Sequence, residues 1–314
     1  MCTADLAKFH DTSARADFVG PLAGLLDEFR QGNIADRDRV REDRALQTHL
    51  GALNAAWDAV FPSFPPCPWR RRTLTWEFFR GRRDAYLRQL IAAHLPAADG
   101  GRRLIVNPAT VLGRHARFLA QALPAYDVVG TDIHGGWDRL YHLLRSWLPG
   151  APANYEFVRE DIFKANLQRR PAVVTFFGAC GCLTDASMDY ALAVGAPLLA
   201  CRSCCQENIG CNTEIVRRPT LINWFFARKN HEFERVRKWN MGFYFSERYG
   251  RGAYPRSQAA RAVLDSETLI AVAQNAPDSD VCRSIVDLDR CLYLREQGYD
   301  VLYREELFFA HRSG

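Results

Sequence analysis

Residues 172–201, AVVTFFGACGCLTDASMDYALAVGAPLLAC, decide the predicted fold. The segment begins with a short apolar run over 172–178, continues with a helix-like stretch over 184–194 and ends with a second apolar run over 196–201. This succession is the pattern of a βαβ unit, in which a helix connects two parallel strands. It predicts an α/β fold built on a mostly parallel sheet.

The same alternation extends on both sides of this segment. The sequence predicts earlier strands over 103–107, 126–132 and 155–161, with helices over 114–123 and 137–148. It predicts a later amphipathic helix over 284–298 and two terminal strands over 299–305 and 307–311. Five strands with crossover helices indicate a doubly wound sheet. A further helix and a terminal strand pair suit a Rossmann-like sheet of seven strands, which periodicity by itself does not establish.

The first hundred residues have a different texture. Apolar residues recur there at helical spacing, as in Leu46, Leu50, Leu53 and Trp57. Four prolines over 62–68 must interrupt any helix, because proline removes a backbone donor and fixes φ. We therefore predict a helical N-terminal region over 1–100 and a Rossmann-like domain over 101–314, with a basic aromatic insertion at about 214–262.

Length and composition restrict the class of protein. The chain has 314 residues, of which 48% are hydrophobic and 25% charged, values typical of a folded globular protein. Since no apolar run approaches the roughly 18 residues that a membrane span requires, no membrane partner is predicted. The first residues carry early acids and no apolar core, unlike an export signal, which predicts a reducing intracellular compartment, cytoplasmic or nuclear.

Polar residues end several predicted strands. In an open α/β sheet, ligands bind beyond the carboxyl ends of the strands. Asn107 ends the first strand and a loop leads from it to Gly113, while Asp132 ends the second strand and could accept hydrogen bonds from a ribose diol. The third strand ends at Glu160 and Asp161, where a carboxylate could face an adenine amino group. Alternatively, each acid is a solvated residue at a strand end.

Cysteines are concentrated after the fourth and fifth predicted strands. Six of the ten in the chain fall within 32 residues, namely Cys180, Cys182, Cys201, Cys204, Cys205 and Cys211. Adjacent parallel strands would bring these thiols to one sheet edge, where they could hold zinc or an iron–sulfur cluster. The alternative is that they are small buried hydrophobic residues.

Two basic stretches dominate the positive charge. Residues 69–88 hold seven arginines against two acids, and residues 217–261 hold eleven Lys/Arg against three acids, with ten aromatic residues interleaved. Cations that neutralise phosphates and rings that stack on bases suit single-stranded RNA. The candidate substrate residues are Arg228, Lys229, His231, Trp239 and Tyr244. The alternative is an ordinary lid with a solvated basic side.

Residues 178–206 resemble the strand-four and strand-five region of class I methyltransferases related to the methyltransferase-like 25 family. The residues that match are Ala179, Cys180, Gly181, Leu183, Cys204 and Cys205, whereas Gly178 and Cys182 replace a His and an Asp of that family. Residues 286–301, VDLDRCLYLREQGYDV, are similar to its terminal helix and strand entry. The resemblance implies a seven-stranded methyltransferase sheet that binds S-adenosylmethionine.

The resemblance also implies roles for single residues. Gly113 would be the last loop glycine, Asp132 the ribose carboxylate and Asp161 the adenine-side acid. Ala179 and Cys180 would line the pocket near the sulfonium. The loop NPATVLG, 107–113, departs from the expected Asp-x-Gly-x-Gly-x-Gly pattern.

Three hypotheses follow. The first is an S-adenosylmethionine-dependent methyltransferase that acts on a macromolecule, RNA or protein. The second is a catalytically degenerate binding protein that keeps the fold and uses its thiols for zinc or an iron–sulfur cluster. The third is a small-molecule methyltransferase.

Overall fold

The structure is a computed structural model. It describes residues 3–32, 44–61, 87–91, 94–95, 102–110, 113–132, 152–165, 167–211, 248–276, 279–304 and 306–312. The predicted helix over 137–148, the prolines over 62–68 and most of the basic aromatic insertion lie outside these residues. No helix within them is long and apolar enough to span a membrane.

A seven-stranded sheet forms the centre of the protein. Its strands are β1 (Arg103–Asn107), β2 (Tyr126–Asp132), β3 (Tyr155–Arg159), β4 (Val173–Cys180), β5 (Leu198–Cys204), β6 (Tyr299–Arg304) and β7 (Leu307–Arg312). They lie in the order β3-β2-β1-β4-β5-β7-β6. The first five strands run parallel, whereas β7 is antiparallel to both β5 and β6. The predicted Rossmann-like α/β sheet is therefore confirmed.

Eight helices are bounded within the described residues. They are α1 (Thr3–Arg15), α2 (Val19–Arg30), α3 (Arg44–Val60), α4 (Arg114–Ala122), α5 (Cys182–Ala193), α6 (Gln258–Arg261), α7 (Ser266–Asn275) and α8 (Asp280–Glu296). Side chains at the N-caps begin the last three, since Ser257, Asp265 and Ser279 each accept a hydrogen bond from a backbone N–H of the first turn. Short 3₁₀ segments cover Gln206–Cys211 and Arg251–Ala253.

Each face of the sheet carries a hydrophobic core. One core joins the sheet to α2, α5, α7 and α8, and the other joins it to α1, α3, α4 and the described residues of 87–91 and 94–95. The N-terminal helices therefore pack on both faces of the sheet. In particular, α1 and α3 pack against the edge strand β6, while α2 packs on α8.

Several elements extend beyond their predicted bounds. The strand predicted over 196–201 runs from Leu198 to Cys204, and the one predicted over 172–178 continues to Cys180. Both extensions contain polar or small residues, which the apolar pattern alone did not assign to strands. They are held by pairing, because Ala179 and Cys180 are in register with Ser203 and Cys204.

Candidate functional site

The strand order reverses between β1 and β4, which places a crevice beyond their carboxyl ends. The loop after β1 borders it and is fastened by Asn107. The side-chain Nδ2 of Asn107 donates to the Thr175 carbonyl of β4 at 2.6 Å, and its Oδ1 accepts from Thr110 Oγ1 at 2.7 Å. The Thr110 N–H donates to the Thr131 carbonyl at 2.9 Å. Asn107 therefore ties the loop to the neighbouring strands.

Two residues of this loop have left-handed backbone. Gly113 has φ of 64° and Ala109 has φ of 50°. A β-carbon at Gly113 would overlap the hydroxyl of Tyr155, so this position requires glycine. Ala109 occupies a position where the expected loop pattern has glycine, and its backbone takes the conformation that glycine favours.

Acidic residues border the crevice on the side of β2 and β3. Asp132 is 7% exposed at the end of β2, and its carbonyl accepts the Glu160 N–H at 3.0 Å. The Glu160 carboxylate is 9% exposed and accepts the Tyr190 hydroxyl of α5 at 2.8 Å. Asp161 is half-buried and accepts the Phe163 N–H at 3.0 Å. The structure thus brings together the three acids that the sequence placed at strand ends, although β3 ends at Arg159, so that Glu160 and Asp161 follow the strand.

The turn from β4 into α5 forms another border of the crevice. Gly181 has φ of 53°, and a β-carbon there would overlap Asn208 of the 3₁₀ segment. Its N–H donates to the Cys204 carbonyl, and its carbonyl accepts from Arg290 Nη2, both at 2.9 Å. Ala179, predicted to line the pocket, is buried directly before this turn.

Arg290 belongs to a buried ionic network between α5 and α8. Its Nε and Nη2 donate to the two oxygens of Asp185 at 3.0 and 2.9 Å, and its Nη1 donates to Asp287 at 2.9 Å. Burial alone would raise the pKa of Asp185, but Arg290 and Arg256 hold it below its ordinary value. Burial raises the pKa of Asp287 to about 6. Sequence reasoning missed both this network and Tyr190.

The sequence predicts that Cys201, Cys204 and Cys205 follow the fifth strand, and this is wrong for Cys201 and Cys204. Cys201 and Cys204 lie within β5, so the alternation of side chains places them on opposite faces of the sheet. Burial and the nearby Asp287 raise the pKa of the Cys201 thiol. Cys182 is buried at the start of α5, and Cys205, in left-handed backbone, is half-buried.

Within the described part of the chain, no three His, Cys, Asp or Glu residues are grouped as a metal ion would require. The side chains of Cys180 and Cys211 lie outside the description. The candidate substrate residues Arg228, Lys229, His231, Trp239 and Tyr244 also lie outside it. The described end of the insertion begins at Arg248, whose guanidinium carbon is 4.7 Å from the centroid of the Phe163 ring.

Five parallel strands, followed by an antiparallel β7 inserted between β5 and β6, complete the architecture. This is the seven-stranded methyltransferase sheet. No family model matches the chain, and no curated protein matches its sequence. Several solved structures that are similar in fold are methyltransferases.

One similar structure is magnesium protoporphyrin IX methyltransferase (ChlM) from Synechocystis PCC 6803, with 12% identity over 78% of this chain and 91% of that one, at a TM-score of 0.36. Another is the CurJ carbon methyltransferase, with 11% identity over 74% and 54% of the two chains, at a TM-score of 0.38. A third is the CMeT domain of citrinin polyketide synthase, with 14% identity over 48% of this chain and 35% of that one, at a TM-score of 0.30. The match to the citrinin synthase domain covers 35% of that solved chain, and a match to the 23S rRNA methyltransferase ErmE covers 53% of the ErmE chain. This chain therefore spans only about half, or less, of these two solved chains.

Proposed function

We propose that the protein transfers a methyl group from S-adenosylmethionine to an acceptor. The observation that carries this proposal is the set of acids beside the crevice. Asp132 ends β2 and Glu160 directly follows β3, with the Glu160 N–H hydrogen-bonded to the Asp132 carbonyl, on the β2 side of the reversal of strand order between β1 and β4. Ligands of such sheets bind at this point.

The residues at the crevice fit the cofactor chemically. An ionised carboxylate accepts hydrogen bonds and donates none. This suits Asp132 for the two ribose hydroxyls and Asp161 for the adenine amino group. Gly113 and the left-handed Ala109 give the loop after β1 the turn that a glycine-containing cofactor loop uses. Asn107 would hold this loop in place through its bonds to Thr175 and Thr110.

S-adenosylmethionine supplies a methyl group that its sulfonium already activates, so the protein need not form a covalent intermediate. The chain's own residues would align the acceptor and exclude water. We place Ala179 and Cys180 beside the reacting centre, at the end of β4. Gly181, held by Arg290 and the Cys204 carbonyl, would fix the position of this border.

The acceptor that we propose is a macromolecule, RNA or protein. The described end of the basic aromatic stretch packs beside the acids, because Tyr249 and Arg248 contact Phe163, two residues after Asp161. An acceptor held by Arg228, Lys229, His231, Trp239 and Tyr244 would then be near the crevice. For a small-molecule acceptor, this basic charge would be incidental.

Binding of single-stranded RNA, measured by fluorescence anisotropy at increasing salt, tests this acceptor. Contacts to several phosphates make the logarithm of the affinity fall steeply with the logarithm of the salt concentration. Binding that is absent at low salt, or that does not change with salt, would contradict RNA as the acceptor.

We also propose that the chain is related to the methyltransferase-like 25 family and acts in a reducing cytoplasmic or nuclear compartment. The support is the pair of segments that resemble that family, 178–206 and 286–301, and the many cysteines. Reducing conditions keep such thiols unpaired.

A second candidate function has one observation in its favour. Cys180 and Cys204 are register partners on β4 and β5, and Cys205 follows directly, at the edge where a zinc ion or iron–sulfur cluster would bind. Metal analysis of anaerobically purified protein tests it. A content below about a tenth of an equivalent of zinc or iron per chain would eliminate this candidate.

Calorimetric titration with S-adenosylmethionine and S-adenosylhomocysteine tests the main proposal. We expect both to bind, and we expect Asp132→Ala to weaken binding at least tenfold, because the variant removes the carboxylate that holds the ribose. Hydrogen bonds to charged groups typically contribute about 1.5–3 kcal/mol, which corresponds to this change.

Asp127→Ala is the matched control. Asp127 lies at the other end of the same strand and pairs with Arg169 at 2.6 Å on the surface. Its removal should leave affinity within about twofold. If Asp132→Ala and Asp127→Ala bind alike, the role of Asp132 is wrong, and if the wild type binds neither compound, the proposed function is wrong.

A further inference from the structure

A basic aromatic group of side chains lies beside β4, which is on the other side of β1 from the acids of β2 and β3. His115, in the first turn of α4, stacks on Phe177 of β4 with ring centroids 4.5 Å apart and planes inclined by 17°. Arg88, in the helical turn 87–91, places Nη1 2.8 Å from His115 Nδ1. We call Arg88, His115 and Phe177 the arginine–histidine cluster.

The hydrogen bond within this cluster fixes the state of the histidine ring. A guanidinium has only donors, so Nδ1 of His115 must accept and carries no hydrogen. The hydrogen of the neutral ring is then on Nε2, which makes that nitrogen a donor. The cluster therefore presents donors and a positive charge, but no acceptor.

A second arginine lies on the same face of the sheet as the cluster. Arg202 is the register partner of Phe177 on β5 and is 1% exposed, which places a second guanidinium on the same face of the sheet. Arg88 is also the last residue of the basic stretch 69–88. Its guanidinium carbon is 4.0 Å from the Phe118 ring centroid, so a cation–π contact orients the side chain along α4.

The two sides of the crevice thus have opposite chemistry. Asp132, Glu160 and Asp161 present acceptors beside β2 and β3, and the arginine–histidine cluster presents donors beside β4 and α4. A ligand that fits both sides has hydroxyl or amino groups at one end and an anion at the other. Arginine binds carboxylates through strong charge-assisted hydrogen bonds.

We propose that Arg88, positioned by His115 and Phe177, binds a carboxylate, and that this is the carboxylate at the amino-acid end of S-adenosylmethionine. The inference rests on the proposed function and adds to it the direction in which the cofactor lies across the crevice. The adenosine end would lie over β2 and β3, and the amino-acid end toward α4.

Two ligands distinguish binding of the adenosine end of the cofactor from binding of its amino-acid end. S-adenosylhomocysteine has the carboxylate, whereas 5′-methylthioadenosine keeps the adenosine and the thioether but lacks the amino-acid part. We expect Arg88→Met to weaken binding of S-adenosylhomocysteine at least tenfold in calorimetric titration, and to change binding of 5′-methylthioadenosine less than twofold. Arg88→Lys, which keeps the charge, should restore part of the loss.

Arg169→Met is the charge-matched control. Arg169 is 53% exposed and pairs with Asp127 near the amino end of β2, far along the strand from the crevice. It should leave the affinity for both ligands unchanged. Circular dichroism and the melting midpoint establish that each variant is folded, and Arg88→Gln serves if Arg88→Met does not fold.

Each other outcome overturns the inference in a recognisable way. If Arg88→Met weakens both ligands equally, Arg88 maintains the site as a whole and does not bind the carboxylate. If both ligands bind the variant as they bind the wild type, the carboxylate is bound elsewhere and the proposed function stands. If the wild type binds neither ligand, the proposed function fails, and the inference fails with it.

Discussion

At the scale of single residues, Ala109 has a backbone conformation that its side chain disfavours. Its φ of 50° costs a non-glycine residue roughly 1–2 kcal/mol. The neighbouring Thr110 is held to Thr131 and Asn107, which keeps the turn in place. Replacing Ala109 with glycine removes the strain but adds about 0.5–1 kcal/mol of unfolded-chain entropy. We therefore expect Ala109→Gly to raise the free energy of unfolding by up to about 1 kcal/mol.

Urea unfolding of Ala109→Gly and Ala52→Gly provides the measurement and its control. Ala52 is exposed within α3, where backbone is right-handed, so the same substitution should lower the free energy of unfolding by about 0.5–1 kcal/mol. Opposite signs for the two variants are the expected result. An equal loss in both would show that Ala109 is not strained in solution.

The residues that could be predicted from the sequence are those whose role depends on local position. Asp132 and Gly113 follow from where a strand ends and a helix begins. Tyr190 and Arg290 could not be found this way, because their partners Glu160 and Gly181 are 30 and 109 residues away in the sequence. Only the packing of α5 and α8 on the sheet brings such pairs together.

At the scale of elements, α8 is a correctly predicted helix in which the burial of charged side chains was not predicted. The sequence predicts an amphipathic helix here, and the charged residues of such a helix ordinarily face solvent. Asp287, Asp289 and Arg290 are nevertheless all buried. They are compensated from other elements: Asp289 accepts the backbone N–H groups of Arg256 and Ser257 at 2.8 and 2.9 Å. Helical periodicity identifies the element, but not which charged residues have buried partners.

Arg290→Met should destabilise the fold strongly. It leaves the fully buried Asp185 without its closest cation, since Arg256 Nη1 is 3.7 Å from that carboxylate. Loss of one partner of a buried ion pair typically costs 3–5 kcal/mol, and we expect a loss of about that size in urea unfolding. Arg251→Met is the control, because Arg251 is 59% exposed and pairs at 3.8 Å with an exposed Glu267. A loss no larger than in the control would contradict a structural role for the pair.

At the scale of the whole molecule, the N-terminal helices and the sheet share their hydrophobic cores. Trp57 of α3 and Phe9 of α1 are fully buried in one cluster with Leu302 and Phe309 of β6 and β7. Arg304 Nη1 also pairs with Asp58 Oδ1 at 2.6 Å. The sequence predicted a helical region before the sheet, but periodicity does not indicate against which strand a helix packs. Because the described helices α1, α2 and α3 share both hydrophobic clusters with the sheet, we infer that both parts unfold together.

Trp57→Ala tests this cooperativity. Removal of a buried aromatic side chain typically costs about 3–5 kcal/mol of stability. Amide hydrogens that exchange only through global unfolding should therefore exchange at least about a hundredfold faster in the variant than in the wild type. Hydrogen exchange with mass spectrometry should show the same loss of protection in α3 and in β7, although β7 lies some 250 residues later in the chain. Val19→Ala, at a side chain 41% exposed on α2, should leave both unchanged. Faster exchange in α3 with unchanged protection in β7 would instead make the N-terminal helices an independent unit, because a separate unit can open without exposing the sheet.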